Sequence, residues 1–237
     1  MTGNWTKILV ATLISAVTLS YLSFFTTYWP GLLIFTGATV GCILICGLWI
    51  IIVIRKRGMN NSKRLKTSDY AKLSVFISLL IAVDFSLHYI PGWIWEFVPF
   101  ASAMLYYLPA AAVAVAAIRT VSKPGAASIL FSGYAVVSLI ISPFLAWLPY
   151  YAVWAVLLET YFTTVDDYGE SVASAILGGW VLGVVGAAFN TMYNWATLQS
   201  WTPLFLSVPN VFACASTSAV GAVIGARIGE RARRISL

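Results

Sequence analysis

The chain has 237 residues, of which 60% are hydrophobic and only 9% are charged, and its net charge is +6. A soluble domain carries about 25% charged residues, so this composition excludes a water-soluble globular protein. The basic balance does not indicate a nucleic-acid partner, because the lysines and arginines cluster at the ends of apolar segments, where they set orientation against anionic lipid. The sequence predicts an all-α integral membrane protein.

Apolar segments long enough to cross a bilayer, at about 20 residues each, recur along the chain. The first two form an N-terminal transmembrane hairpin within residues 1–54, and a basic cytoplasmic linker follows at 55–70. The remaining core, 71–237, is expected to be a six-helix bundle, which gives about eight transmembrane helices in all. The spans are predicted at 8–29, 31–54, 71–90, 98–118, 124–143, 150–165, 171–192 and 203–226.

The fourteen lysines and arginines all fall on one side of a bundle threaded in this way. They are Lys7, seven in the 55–72 loop, Arg119, Lys123 and four within 227–234. Cytoplasmic loops of membrane proteins are enriched in these residues. We therefore expect a multi-pass protein of a prokaryotic plasma membrane with both termini in the cytoplasm.

The sequence offers little for enzymatic chemistry. It has one histidine, His88, and lacks HExxH, GxSxG and a glycine-rich loop ending in Lys-Ser or Lys-Thr. The three cysteines have no metal-ligand spacing. We expect no catalytic residue, no cofactor and no metal, and any energy from nucleotide would come from a partner chain.

Two carboxylates lie inside predicted spans, where each costs roughly 2.5–3.5 kcal/mol at a helix centre. Asp84 lies toward the outer end of its span, with His88 one turn further on the same face. Glu159 lies about 13 Å below the outer end of its helix. Both positions suit a cationic or amine-bearing ligand that enters from outside. The alternative is a carboxylate that is protonated or hydrogen-bonded to neighbouring helices, and for His88 a structural role is favoured.

Amide and aromatic side chains gather near the same outer face. Asparagine offers a donor and an acceptor to a heterocycle edge, although interhelical hydrogen bonding explains it equally well. The outer loop at 90–99 is rich in tryptophan, whose rings stack on a ligand and hold a cation, although a single tryptophan there is more often an interfacial anchor. The residues concerned are Asn190, Asn194, Asn210, Trp93, Trp95 and Glu96.

Small residues repeat at four-residue spacing on three helices, which lets helices approach closely. Packing within the bundle is the default explanation, and a face for docking a partner is the alternative. The repeats are Ser74, Ser78 and Ala82 in the third span, Gly179 and Gly183 in the seventh, and Gly221, Gly225 and Gly229 in the last.

Three segments carry a family resemblance: LPAAAVAVAAIRTVSKPGAA (108–127), LLETYF (157–162) and GAVIGARIGERARR (221–234). With them, residues 70–234 resemble the substrate-capturing S component of energy-coupling factor (ECF) transporters, closest to the branch associated with hydroxymethylpyrimidine and thiamine. Lys123 to Ala127 match the Lys-Pro-Gly-Ala-Ala-like helix start of that branch, and Glu159 matches its acidic residue.

The resemblance implies a six-helix binding subunit that captures a vitamin or precursor on its outer side, beneath the first loop. It also implies docking on an ECF coupling membrane subunit driven by two ATPases. The docking face would be Ser74, Ser78 and Ala82, where the family prefers Ala. The hairpin at 8–54 departs from the usual six spans.

The sequence thus predicts a substrate-capture membrane subunit of an ATP-driven micronutrient importer, with thiamine or hydroxymethylpyrimidine as candidate solutes. Two alternatives stay open: a non-catalytic structural subunit of a larger membrane complex, and a stand-alone proton-coupled carrier. The predicted ligand contacts are Glu159, Trp93, Trp95, Glu96 and Asn190, followed by Asp84, His88, Asn194 and Asn210.

Overall fold

A computed structural model describes residues 7, 10, 12, 14, 15, 32–56, 64–87, 89–91, 94, 100, 101, 103–141, 148–164, 171–198 and 204–235. Every secondary-structure element within these residues is helical, which confirms the predicted all-α class. The elements are α1 (Leu32–Lys56), α2 (Thr67–Leu87), a π-helical turn π1 (Ala103–Tyr107) that continues into α3 (Leu108–Val121), α4 (Ala126–Ile141), α5 (Leu148–Thr164), α6 (Val172–Leu198) and α7 (Leu204–Ile235).

Among the described residues, four helical segments are long and apolar enough to cross a membrane: Thr67–Leu87, Ala103–Val121, Val172–Tyr193 and Ser207–Ile235. Their lengths suit a hydrocarbon core that needs about 20 residues per span. This finding supports a membrane-inserted protein with four candidate spans, whereas the prediction of about eight spans goes beyond it. Two further apolar helical stretches within the described residues, Thr39–Ile52 and Ala126–Ile141, have fewer than 18 residues.

The cations of the described residues gather at one end of the bundle, which we call the basic end. Lys123 Nζ lies 2.6 Å from Asp69 Oδ2, so the α3–α4 turn meets the start of α2. Arg233, near the end of α7, donates a 3.4 Å hydrogen bond to Ser122 in the same turn. Lys7 donates a 2.8 Å hydrogen bond to the serine that precedes α6. These contacts agree with the predicted collection of lysines and arginines on one side.

The described residues of the N-terminal region, up to Lys56, pack against the core. Helix α1 contacts α5 and α6, and near the basic end Trp49 Nε1 donates a 3.2 Å hydrogen bond to Thr164 Oγ1. Among the described residues that precede α1, Ser15 accepts a 3.2 Å hydrogen bond from Trp180 Nε1 on α6. Helix α1 and Ser15 therefore lie along the α5–α6 side of the bundle.

Glycines let α7 pack closely against two neighbours. A methyl group at Gly225 would overlap the carbonyl oxygen of Ala112 on α3, and one at Gly183 of α6 would overlap the carbonyl oxygen of Cys214 on α7. Helices of membrane proteins associate through such small-residue faces, because lipid tails supply no hydrophobic driving force between them. The glycine repeat of α7 therefore serves packing within the bundle.

Candidate functional site

Glu159 is a buried carboxylate that caps a neighbouring helix. Its side chain is 1% exposed. Oε1 accepts a 2.6 Å hydrogen bond from the N–H of Gly125, Oε2 accepts one of 3.1 Å from the N–H of Ser128, and the Thr163 hydroxyl donates to Oε1 at 3.2 Å. Because α4 begins at Ala126, these amides belong to a helix start, where N–H groups lack intrahelical acceptors and the helix dipole favours negative charge.

The hydrogen bonds of Glu159 agree with the second interpretation of the sequence, in which this carboxylate is hydrogen-bonded to a neighbouring helix. It also explains the Lys-Pro-Gly segment locally, because Lys123 pairs with Asp69 and Gly125 has a φ of +92° that favours glycine. Contact between Glu159 and a ligand amine stays a prediction, and the observed position is close to the basic end.

Asp84 lies at the far end of α2 from the basic end. It is 15 residues beyond Asp69 (84 minus 69) on the same helix, a distance of about 22 Å. Its half-buried carboxylate lies in the neighbourhood of the hydroxyl groups of Tyr106, Tyr134 and Tyr151. Of the two acidic residues that were predicted inside spans, Asp84 is the one that lies beside aromatic rings and hydroxyl groups.

Five tyrosines, three of which lie near Asp84, form what we call the tyrosine cluster: Tyr106, Tyr107, Tyr134, Tyr150 and Tyr151. The Tyr134 hydroxyl lies within reach of those of Tyr106 and Tyr151, and the Tyr134 and Tyr151 ring centroids are 4.9 Å apart. The hydroxyls of Tyr107 and Tyr150 are 3.4 Å apart. The cluster therefore joins π1, α4 and α5 through a buried network of hydroxyl groups.

Trp154 lies at the base of the tyrosine cluster and is 1% exposed. Its ring stacks parallel to Tyr106 at 6.2 Å and lies 4.6 Å from Tyr150. One edge of the indole rests on Gly186 of α6, where an added methyl group would collide with it. Its Nε1–H has no hydrogen-bond partner in the described part of the chain. A buried indole N–H normally donates a hydrogen bond, and the Nε1–H of Trp154 is an exception among the described residues.

The sequence did not single out Tyr106, Tyr107, Tyr134 or Trp154, because aromatic residues in apolar spans are ordinary. The π-helical turn Ala103–Tyr107, which presents two of the tyrosines, has no sequence signature. Such turns are rare and often occur at functional sites. It follows Phe100, whose φ of 59° is unusual for a bulky residue.

Other predicted site residues are only partly described. Asn190 is half-buried on α6, and Asn210 on α7 accepts a 3.9 Å hydrogen bond from the Cys214 thiol. Asn194 lies in α6, but its side chain is outside the described residues. Four further predicted contacts, all from 88–96, also lie outside them: His88, Trp93, Trp95 and Glu96.

The predicted docking residues Ser74, Ser78 and Ala82 are exposed on α2. The two hydroxyls donate to the helix's own backbone, at 2.8 Å for Ser74 and 3.0 Å for Ser78. Val75 and Leu79 on the same helix are also exposed, so the described bundle leaves an apolar, small-residue surface uncovered here. Docking of a partner on it stays a prediction.

No protein-family model, curated protein or solved structure shows significant similarity to this chain. Functional inference therefore depends on the residues and on their geometry.

Proposed function

We propose that this protein is the substrate-capture membrane subunit of an ATP-driven micronutrient importer. Its solute would be a small aromatic compound that carries a positive charge or an amine, such as thiamine or hydroxymethylpyrimidine. The observation that supports the proposal best is the position of Asp84 beside the tyrosine cluster, at the end of the bundle that lies away from the described cations.

The chemistry of these groups suits such a solute. A carboxylate forms charge-assisted hydrogen bonds with an amine or aminopyrimidine, and the faces of tyrosine and tryptophan attract an organic cation within about 6 Å of the ring centroid. Tyrosine hydroxyls donate and accept hydrogen bonds, as the edge of a pyrimidine requires. Asn190 and the predicted tryptophan-rich loop at 90–99 would complete the contacts.

Energy for uptake would come from partner chains, because the sequence contains no phosphate-binding glycine loop. The resemblance of residues 70–234 to S components supports an ECF coupling subunit with two ATPases in this role. The exposed surface of α2 that carries Ser74, Ser78 and Ala82 is the proposed contact with the coupling subunit.

The proposal is tested by direct binding to the purified full chain in mild detergent, with isothermal titration calorimetry and tryptophan fluorescence as independent measurements. We expect saturable binding of thiamine or hydroxymethylpyrimidine. If a carboxylate–cation contact dominates, thiamine binds more tightly than the neutral precursor. Absence of saturable binding for both compounds would remove the substrate assignment.

Uptake by cells that express the chain separates the importer from its rivals. An importer subunit transports solute only when the coupling subunit and the ATPases are co-expressed, and ATP depletion stops it. Uptake by the chain alone that an uncoupler abolishes would instead identify a proton-coupled carrier. A structural subunit would show neither binding nor uptake.

A further inference from the structure

The last helix is longer than a membrane span requires. Its candidate membrane-spanning part, Ser207–Ile235, has 29 residues, the last nine of which include four arginines and one glutamate, whereas about 20 residues cross the hydrocarbon core. Counted from residue 207, a span of that length ends close to 226, immediately before the arginines. The final turns therefore reach the depth of the phospholipid headgroups at the basic end.

Three of these arginines occupy one face of α7. At about 100° per residue, Arg227, Arg231 and Arg234 lie on the side of the helix opposite Gly225, which packs against Ala112 of α3. All three are exposed. Arg233 points elsewhere, because it donates to Ser122 within the bundle. The arginine face is therefore directed toward the surroundings of the protein.

Apolar side chains continue the same face toward the centre of the membrane. Val220 is 55% exposed and Ile224 is 44% exposed. Large aliphatic residues with this exposure on a membrane-spanning helix contact acyl chains. A single surface thus combines an aliphatic strip at the depth of the hydrocarbon with arginines at the depth of the headgroups.

The arginines differ in their partners. Arg234 pairs with Glu230 on the same helix at 2.7 Å. Within the described residues, neither Arg227 nor Arg231 makes a hydrogen bond or an ion pair. A guanidinium group binds a phosphate through two parallel N–H···O bonds, and two such groups one helical turn apart suit one phospholipid headgroup.

We propose that Arg227 and Arg231, with Arg234 beside them, bind the headgroup of an anionic phospholipid whose acyl chain lies along Val220 and Ile224. The charge of the arginine face favours an anionic lipid over a zwitterionic one. Its continuity with the aliphatic strip favours a lipid over a soluble anion or an acidic protein. This site is separate from the tyrosine cluster and does not depend on the proposed transport function.

The test uses the purified full chain in a neutral detergent, with mixed micelles that contain phosphatidylglycerol or phosphatidylcholine. We expect phosphatidylglycerol to raise the thermal unfolding midpoint more than phosphatidylcholine does. The double variant Arg227→Gln/Arg231→Gln is expected to lose apparent affinity for phosphatidylglycerol by about 30-fold, since each cation near a membrane surface contributes about fivefold. Inorganic phosphate alone should have no comparable effect.

The matched control is Arg64→Gln/Lys66→Gln, which removes the same number of exposed charges from the basic end at the start of α2. It should keep the wild-type response. Equal loss in the control would show a general charge effect and overturn the proposal. So would an unchanged response of the Arg227→Gln/Arg231→Gln variant, equal stabilisation by both lipids, or equal stabilisation by phosphate.

A second measurement needs no variant. Photoactivatable phosphatidylglycerol should label peptides within 220–235 of the wild-type protein, and the labelling should fall as ionic strength rises, because exposed charge pairs are screened by salt. Labelling concentrated on other helices would overturn the assignment, as would labelling of 220–235 that salt does not change.

Discussion

The carboxylate of Glu159 and the backbone N–H of Gly125 are joined by a 2.6 Å hydrogen bond that ties α5 to the start of α4. With a second amide from Ser128, this bond supplies a structural reason for an acidic residue inside a span. A helix N-terminus is usually capped by the polar side chain of the residue that immediately precedes the helix. Here the carboxylate of Glu159, which belongs to another helix, caps α4 instead. The structure thereby separates the two acidic residues by role: Glu159 acts in helix capping and Asp84 lies beside the tyrosine cluster.

Replacing Glu159 with Gln is expected to destabilise the bundle. The amide keeps one acceptor oxygen but presents an NH₂ group to the second backbone N–H, and a buried donor left without an acceptor costs about 1–3 kcal/mol. The free energy of unfolding, measured by SDS titration of the purified protein, would fall by that amount. The matched control is Glu230→Gln on α7, whose side chain is 43% exposed and which should change the unfolding free energy much less.

The Glu159→Gln protein also tests the prediction that Glu159 contacts the ligand. If Glu159 only caps α4, the folded variant binds thiamine as the wild type does. A large loss of affinity in a variant of unchanged stability would instead make Glu159 a ligand contact.

Replacing Asp84 with Asn is expected to weaken solute binding without comparable loss of stability. A charge-assisted hydrogen bond contributes about 1.5–3 kcal/mol, so the dissociation constant for thiamine should rise by about 10- to 100-fold. Calorimetric titration measures the change. Asp69→Asn is the matched control, since it alters the same residue type on the same helix at the basic end. Equal effects of the two variants would contradict a site at Asp84.

Adding a methyl group at Gly225 is expected to disrupt the contact between α3 and α7. The new Cβ atom would overlap the carbonyl oxygen of Ala112, and overpacking of this kind costs about 1–3 kcal/mol. Gly37 on α1 has no atom within 4 Å of an added Cβ, so Gly37→Ala should be neutral or stabilise the helix by up to about 1 kcal/mol. Unfolding in SDS compares the two variants. If Gly225→Ala and Gly37→Ala have similar unfolding free energies, α3 and α7 are not close enough at Gly225 for an added methyl group to disrupt their contact.

Much of the fold was predictable because the bilayer imposes a simple rule. Apolar runs of sufficient length predicted the all-helical membrane class, and the positions of Lys7, Lys123 and Arg233 predicted which helix ends meet at the basic end. The span count was less secure, since only four helical segments of the described residues are long and apolar enough to cross a membrane.

The candidate site was harder to predict than the fold, because the residues that meet there come from different helices. The depth of Glu159 followed from its position in the sequence, but the approach of the α4 N-terminus depends on tertiary packing. Asp84 was identified from the cost of a charge in a span, whereas its neighbours Tyr106 and Tyr134 look like ordinary apolar-span residues in sequence. Hydrophobic periodicity likewise does not predict the π-helical turn that contains Tyr106.

The last prediction concerns the ion pair between Asp69 and Lys123, which joins the start of α2 to the α3–α4 turn at 2.6 Å. Their side chains are 9% and 20% exposed, so solvent screens the pair only in part, and the expected coupling is about 1 kcal/mol, at the upper end for surface pairs. Asp69 also accepts a 2.8 Å hydrogen bond from the N–H of Lys66, as the third residue of a capping box does. A double-mutant cycle with Asp69→Asn and Lys123→Gln isolates the pair, because asparagine retains an acceptor for that N–H. Asp69→Ala should cost more than Asp69→Asn by the value of the cap, about 1 kcal/mol. If the cycle gives no coupling while Asp69→Ala is still destabilising, the carboxylate acts on α2 alone and the turn at Lys123 is held by Glu159.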